Sequence, residues 1–135
     1  MRYVLDTNTC IAYLNGRAVG VRHRLQGVPP SEVTLCSVVK AELLYGAHKS
    51  TNPATVLAKL RRFFAPFISL PFDDAAAQAY GTIRADLERV GTPIGPNDLM
   101  IAAIALARGL TLVTHNAREF RRVAGLTIED WEATP

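Results

Sequence analysis

The chain begins MRYVLDTNTC (Met1–Cys10), and the reading of these ten residues decides how the rest is placed. Tyr3, Val4 and Leu5 form an apolar, β-prone run suited to a short buried strand. Asp6 follows, then Thr7, Asn8 and Thr9, before apolar residues resume at Cys10 and Ile11. A strand that ends in a carboxylate and a run of small polar residues starts a turn, caps a helix, or delivers an acid to a site.

Outward from that strand, the pattern alternates. Short helices are expected at Cys10–Leu14 and Val19–Leu25, then a loop through QGVPPSE, where Pro29 and Pro30 cannot continue a helix. A second strand is expected at Thr34–Cys36, followed by helices at Val38–Ala47 and Pro53–Phe64 and a third strand at Phe67–Leu70. Asp73 and Asp74 open a long helix to about Val90, with acidic residues favouring its first turn. Gly91–Pro96 reads as a loop. Asp98–Arg108 reads as an apolar helix closed by Gly109. Leu110–Thr114 is a fourth strand, and Thr127–Ile128 a short fifth. Alternation of this kind implies a central, mostly parallel sheet with helices on both faces, in a single domain spanning 1–135. Ligands of open parallel sheets sit beyond the carboxyl ends of the strands. Asp6 and the group Thr114, His115 and Asn116 are therefore expected on one edge.

The totals limit the classes. A chain of 135 residues, 49% of them hydrophobic, builds one sizeable core. No apolar run approaches the roughly 18 residues of a membrane span, and Asp6 interrupts the N-terminus too early for a signal peptide. Cys10 and Cys36 lack paired metal-ligand spacing and read as reduced, buried thiols of a cytoplasmic protein. The net charge of +3, with Arg and Lys scattered along the chain, suits a polyanion and equally suits plain solubility.

Four residues stand out. Asp6 ends the first strand. Glu42 lies in SVVKAELLYGA, a helix so apolar that it reads as sandwiched, where a carboxylate costs several kcal/mol unless something positive meets it. Asp98 stands in the first turn of the apolar helix, beside Asn97, whose type suits a helix cap. Asn116 in LVTHNAREF is followed three residues on by Glu119, the residue types of a capping box with Asn in place of Ser or Thr. Each has an ordinary structural explanation. Gathered on one sheet edge, however, Asp6, Glu42 and Asp98 would repel at a cost on the order of kcal/mol. A divalent cation relieves that repulsion. Oxygen donors without a Cys or His cluster point to Mg²⁺ or Mn²⁺ and away from zinc. Such an ion would hold a phosphate and activate water.

The sequence resembles PIN-domain ribonucleases, in particular VapC-type toxins of bacterial toxin–antitoxin pairs. The resemblance rests on LDTN (Leu5–Asn8), AELLYGA (Ala41–Ala47), GPNDLMIAA (Gly95–Ala103), LVTHNAREF (Leu112–Phe120) and GLTIEDW (Gly125–Trp131), in that order and spacing. It implies a three-layer α/β/α sandwich and RNA cleavage with Mg²⁺ or Mn²⁺ at an acidic cluster. The matching positions are Asp6, Glu42 and Asp98. Asn116 matches a fourth position that is acidic in many members, so the chain departs from the pattern there. The resemblance further implies a homodimer silenced by a VapB-type antitoxin. The tail GLTIEDW and the loop GTPIGP look like the subgroup that cuts tRNA, initiator tRNA in particular.

On this reading Asp6 and Asp98 bind the metal and Glu42 completes its shell or positions the attacking water. Thr7, Asn8 and Thr114 donate hydrogen bonds to water or phosphate, and Arg and Lys side chains hold the RNA backbone. Two other readings stand beside it. One is a phosphotransferase forming an aspartyl-phosphate on Asp6. The other is a non-catalytic RNA-binding or interaction protein on the same fold.

Overall fold

In the computed structural model, which describes residues 1–133, five strands form one sheet. They are β1 (Tyr3–Leu5), β2 (Val33–Cys36), β3 (Ile68–Leu70), β4 (Thr111–Val113) and β5 (Ile128–Glu129). Their spatial order is β3-β2-β1-β4-β5, and every ladder is parallel. β1 is the central strand, and all three of its residues are buried. Tyr3 pairs with Val33 on one side and Thr111 on the other. Strands covered on both faces need continuous apolar runs, which is what YVL and VTLC supply.

Seven helices join the strands: α1 (Thr7–Asn15), α2 (Val19–Gly27), α3 (Ser37–Lys49), α4 (Pro53–Phe64), α5 (Asp74–Arg89), α6 (Pro96–Arg108) and α7 (Ala117–Phe120). A 3₁₀ turn at Pro30–Glu32 leads into β2. The α5–α6 pair makes the most extensive helix contact, and α1, α3 and α4 form a second group that meets α6 through α3. Inside α6, Leu99 and Ile101–Ala105 are all buried, as the apolar sequence requires.

Several boundaries move. α1 starts at Thr7, three residues before the sequence expectation, because Asp6 is its N-cap and the polar run TNT is helical. α6 starts at Pro96, with Gly95 as N-cap and no side-chain cap bond. Asn97 is therefore inside the first turn and is not the cap. Pro fits the first helical position because its missing N–H has no partner there anyway. Gly109 ends α6 with φ 65°, the left-handed conformation that closes helices. α3 is not sandwiched. Only Val39, Leu43 and Ala47 are buried, a single stripe, while Leu44 and Tyr45 face outward. Both thiols are free and buried.

The C-terminal motif GLTIEDW packs as part of the fold. The buried Trp131 ring meets Tyr3 edge-on at 5.1 Å, and its indole N–H donates to Glu129 at 3.0 Å. Gly20 is required beneath it, since a Cβ there would stand 2.4 Å from the Trp131 carbonyl oxygen. No helix among the described residues is long and apolar enough to cross a membrane.

Candidate active site

The strand order reverses direction between β1 and β4. At such a switch point the loops leaving neighbouring strands diverge and open a crevice. Asp6 leaves β1 there and Thr114 leaves β4. Asp6 is 4% exposed. Its Oδ1 accepts the Thr9 amide at 2.8 Å, which caps α1. Burial raises the Asp6 pKa, the Thr114 and Thr9 contacts oppose that rise, and the charge of Glu42 adds to it. So Asp6 is a helix cap and also faces a second carboxylate; the two readings of the sequence coexist.

Glu42 is half-buried on α3, and its Oε1 accepts the Thr7 hydroxyl at 2.6 Å. The first residue of α1 thus ties α3 to the end of β1. The groove bounded by Thr7, Asn8, Ser37, Glu42, Tyr45 and Asn97 has a volume of about 710 Å³. Asp98 is half-buried in the first turn of α6. Its pKa is raised from 3.8 to about 6, first by desolvation and then by the charges of Glu119, Asp6 and Glu42. A helix N-terminus normally stabilises a carboxylate. Here burial and like charges outweigh it.

The structure therefore brings Asp6, Glu42 and Asp98 within electrostatic reach of one another, and it adds Glu119, which sequence reasoning had assigned to a cap. Asn116 does occupy the N-cap position of α7, but its side chain caps nothing. Its Nδ2 instead donates to Glu119 Oε2 at 2.6 Å. The amide at the departed position holds a carboxylate one turn further along. The signal was in LVTHNAREF: Glu119 is the only acid within a helical turn of Asn116, on the edge where a fourth acid was wanted. Thr114 is fully buried, and its hydroxyl accepts the Asn116 amide at 3.0 Å. It is placed to order Asp6 and Asn116 and not to reach a phosphate. Thr9, not singled out from the sequence, has a similar part: its hydroxyl donates to the Val113 carbonyl at 3.2 Å, binding α1 to the end of β4. Asn8 is exposed on the groove.

Among the described residues, none of the four acids forms an ion pair, and no three metal-ligating side chains form a ready-made cage. The donor set is all oxygen, from four separate elements, and is electrostatically unsatisfied.

The family profile described as PIN domain matches residues 3–126, and the chain belongs to that family. Within it, the likeness is to VapC ribonucleases. The chain is 44% identical to the tRNA(fMet)-specific endonuclease VapC of Salmonella typhimurium, over 97% of this chain and 98% of that protein. It is 36% identical to ribonuclease VapC2 of Rickettsia felis, over 98% and 99%. Among solved structures, a chain of the DNA-bound VapBC of Salmonella typhimurium superposes with a TM-score of 0.92 at 44% identity, covering 97% of this chain and 98% of that one. VapBC-1 from nontypeable Haemophilus influenzae gives 0.88 at 32% identity, covering 97% and 98%.

Proposed function

We propose that this protein is a VapC-type toxin, an endoribonuclease that hydrolyses RNA at Asp6, Glu42, Asp98 and Glu119 with Mg²⁺ or Mn²⁺. The observation that carries the reading is the gathering of four unpaired carboxylates where the strand order reverses. Carboxylate oxygens of this kind suit a hard divalent cation. When bound, such an ion supplies Lewis acidity toward a phosphate and lowers the pKa of a water. Asp6 and Asp98 would hold such an ion, directly or through water, and Glu42 and Glu119 would complete its shell or position the attacking water. The chain's own residues prepare that site. Thr7 fixes the Glu42 carboxylate, Thr9 fixes that of Asp6, and Asn116 fixes that of Glu119. Asn8 and Asn97, at the groove, can hydrogen-bond a phosphate or an attacking water.

The substrate is RNA. The name of the Salmonella relative favours initiator tRNA. The VapBC structures support a VapB-type antitoxin as partner; the homodimer is carried over from the sequence resemblance alone. An aspartyl-phosphate on Asp6 is disfavoured, since that side chain is buried and one of its oxygens caps α1.

The test is incubation of the antitoxin-free protein with total RNA, with Mg²⁺, with Mn²⁺ or with chelator, followed by mapping of the new ends. Cleavage that needs the cation and is lost in Asp98→Asn supports the reading. Full activity in excess chelator would overturn the metal assignment, and no cleavage of any RNA would overturn the nuclease.

A further inference from the structure

Without a cation the four carboxylates repel the phosphates of an RNA strand. In that state a contact that does not depend on charge adds affinity beside the site, and stacking of a base on an aromatic ring is such a contact. The groove that contains Glu42 also contains Tyr45. Tyr45 is 65% exposed, unusual for a ring with no partner to cover. Among the described residues, every other Tyr, Phe or Trp is buried or half-buried. Lys49 stands with its ammonium 5.6 Å from the Tyr45 ring centroid.

Glu42, Tyr45 and Lys49 lie at spacings of three and four on α3. By helix geometry they fall within an arc of about 60°, and successive members are about 4.5 and 6 Å apart along the axis. The core stripe of Val39, Leu43 and Ala47 is a different one, so the exposed Tyr45 ring is not part of the core. One helix face thus presents, in order, a carboxylate of the acidic cluster, an open aromatic ring and a cation, each one helical turn from the last.

We propose that this face is a nucleotide subsite: the base next to the cleaved phosphate stacks on Tyr45, and the phosphate beyond that base meets Lys49. The inference rests on the ribonuclease reading and names the substrate contact that sets where the strand lies relative to the carboxylates. The cation over the ring strengthens the case for RNA over an apolar protein segment, because a strand brings a π-face and an anion together.

The experiment measures cleavage and binding separately on a short single-stranded RNA that contains a mapped cleavage site. Binding is read by anisotropy of labelled RNA in chelator and cleavage by steady-state kinetics in Mg²⁺. Tyr45→Ala should weaken binding and lower kcat/KM about 5- to 100-fold, the range one base–aromatic stack contributes, mainly through KM. Tyr45→Phe should restore both to within about twofold on the same stacking argument. Removing the base next to the cleaved phosphate should cost the wild type as much as Tyr45→Ala does, and should cost Tyr45→Ala nothing further. Lys49→Gln should reduce the salt dependence of binding.

Tyr45→Ala equal to wild type in binding and cleavage overturns the subsite and leaves the nuclease standing. So does an abasic penalty that adds fully to that of Tyr45→Ala. Loss of the homodimer or of antitoxin binding in Tyr45→Ala, with RNA binding intact, makes the ring a protein contact and overturns the subsite. RNA bound through Tyr45 but cut under no condition supports the subsite and overturns the nuclease.

Discussion

Asp98→Asn should make the metal-free protein more stable at neutral pH, although the residue is central to the proposed chemistry. The Asp98 pKa is raised from 3.8 to about 6 by burial and by the charges of Glu119, Asp6 and Glu42. Above pH 6 the carboxylate is ionised in both folded and unfolded chains, and the folded state bears the penalty. Between pH 6 and 3.8 the folded state takes up a proton that the unfolded chain does not, so stability rises as pH falls through this window. The full penalty corresponds to about 3 kcal/mol at 1.36 kcal/mol per tenfold change in proton affinity. Asp98 is only half-buried, and solvent screening reduces this to about 1–2 kcal/mol. Asn also forgoes the favourable charge at the α6 N-terminus, worth about 0.5 kcal/mol. The net gain is about 1 kcal/mol, or a Tm increase of about 3–4 °C for a chain of this size. The assay is thermal unfolding followed by circular dichroism from pH 4 to 8 in excess chelator. Wild type should lose stability between pH 4 and 6.5, and Asp98→Asn should lose much less. A variant that is less stable than wild type at pH 7.5, or a wild-type curve flat across the window, would refute the idea that like charges and burial strain this site.

Divalent metal should reverse the strain: Mg²⁺ at 100 times its dissociation constant should stabilise wild type by about 2.7 kcal/mol and Asp98→Asn much less, read as the metal-dependent Tm increase. Thr7→Val removes the hydroxyl that holds Glu42 at 2.6 Å; kcat should fall about tenfold, in keeping with loss of a positioning contact, while the metal-free Tm stays within about 2 °C, the effect of a half-exposed substitution. Asn116→Asp replaces the donor to Glu119 with a second carboxylate, so the metal-free protein should lose about 1 kcal/mol at pH 7.5 and gain metal affinity in a calorimetric titration. Equal affinities in the two forms would show that position 116 lies outside the cation site.

Local sequence determined much of this molecule. YVL followed by Asp6 marked a strand that ends in an acid, because apolar β-prone runs and helix-capping side chains act over a few residues. The same holds for Gly109 closing α6 and for Pro29 and Pro30 breaking the chain before β2. The pattern of alternating elements sufficed for a parallel sheet, and Asp6, Glu42 and Asp98 were legible because an acid in an apolar context is conspicuous.

What only the tertiary structure decided depends on pairs far apart in the chain. β4 lies beside β1 through ladders such as Leu5 with Val113, and that pairing carries α7 and Glu119 to Asp98. No local signal separates an acid that caps its own helix from one that faces a neighbour across the sheet edge. Asn116 and Glu119 have the types of a capping box, yet the amide bonds the carboxylate and the helix N-terminus is left without a side-chain cap. Thr114 looked available from its type, and its burial was settled by the strands and helices packed around it. Composition made α3 look enclosed, whereas the space its neighbours fill covers only the Val39, Leu43 and Ala47 stripe. The uncovered face, with Tyr45 open beside Glu42, is a consequence of packing, and packing is determined by which elements meet and not by the propensities of any one of them.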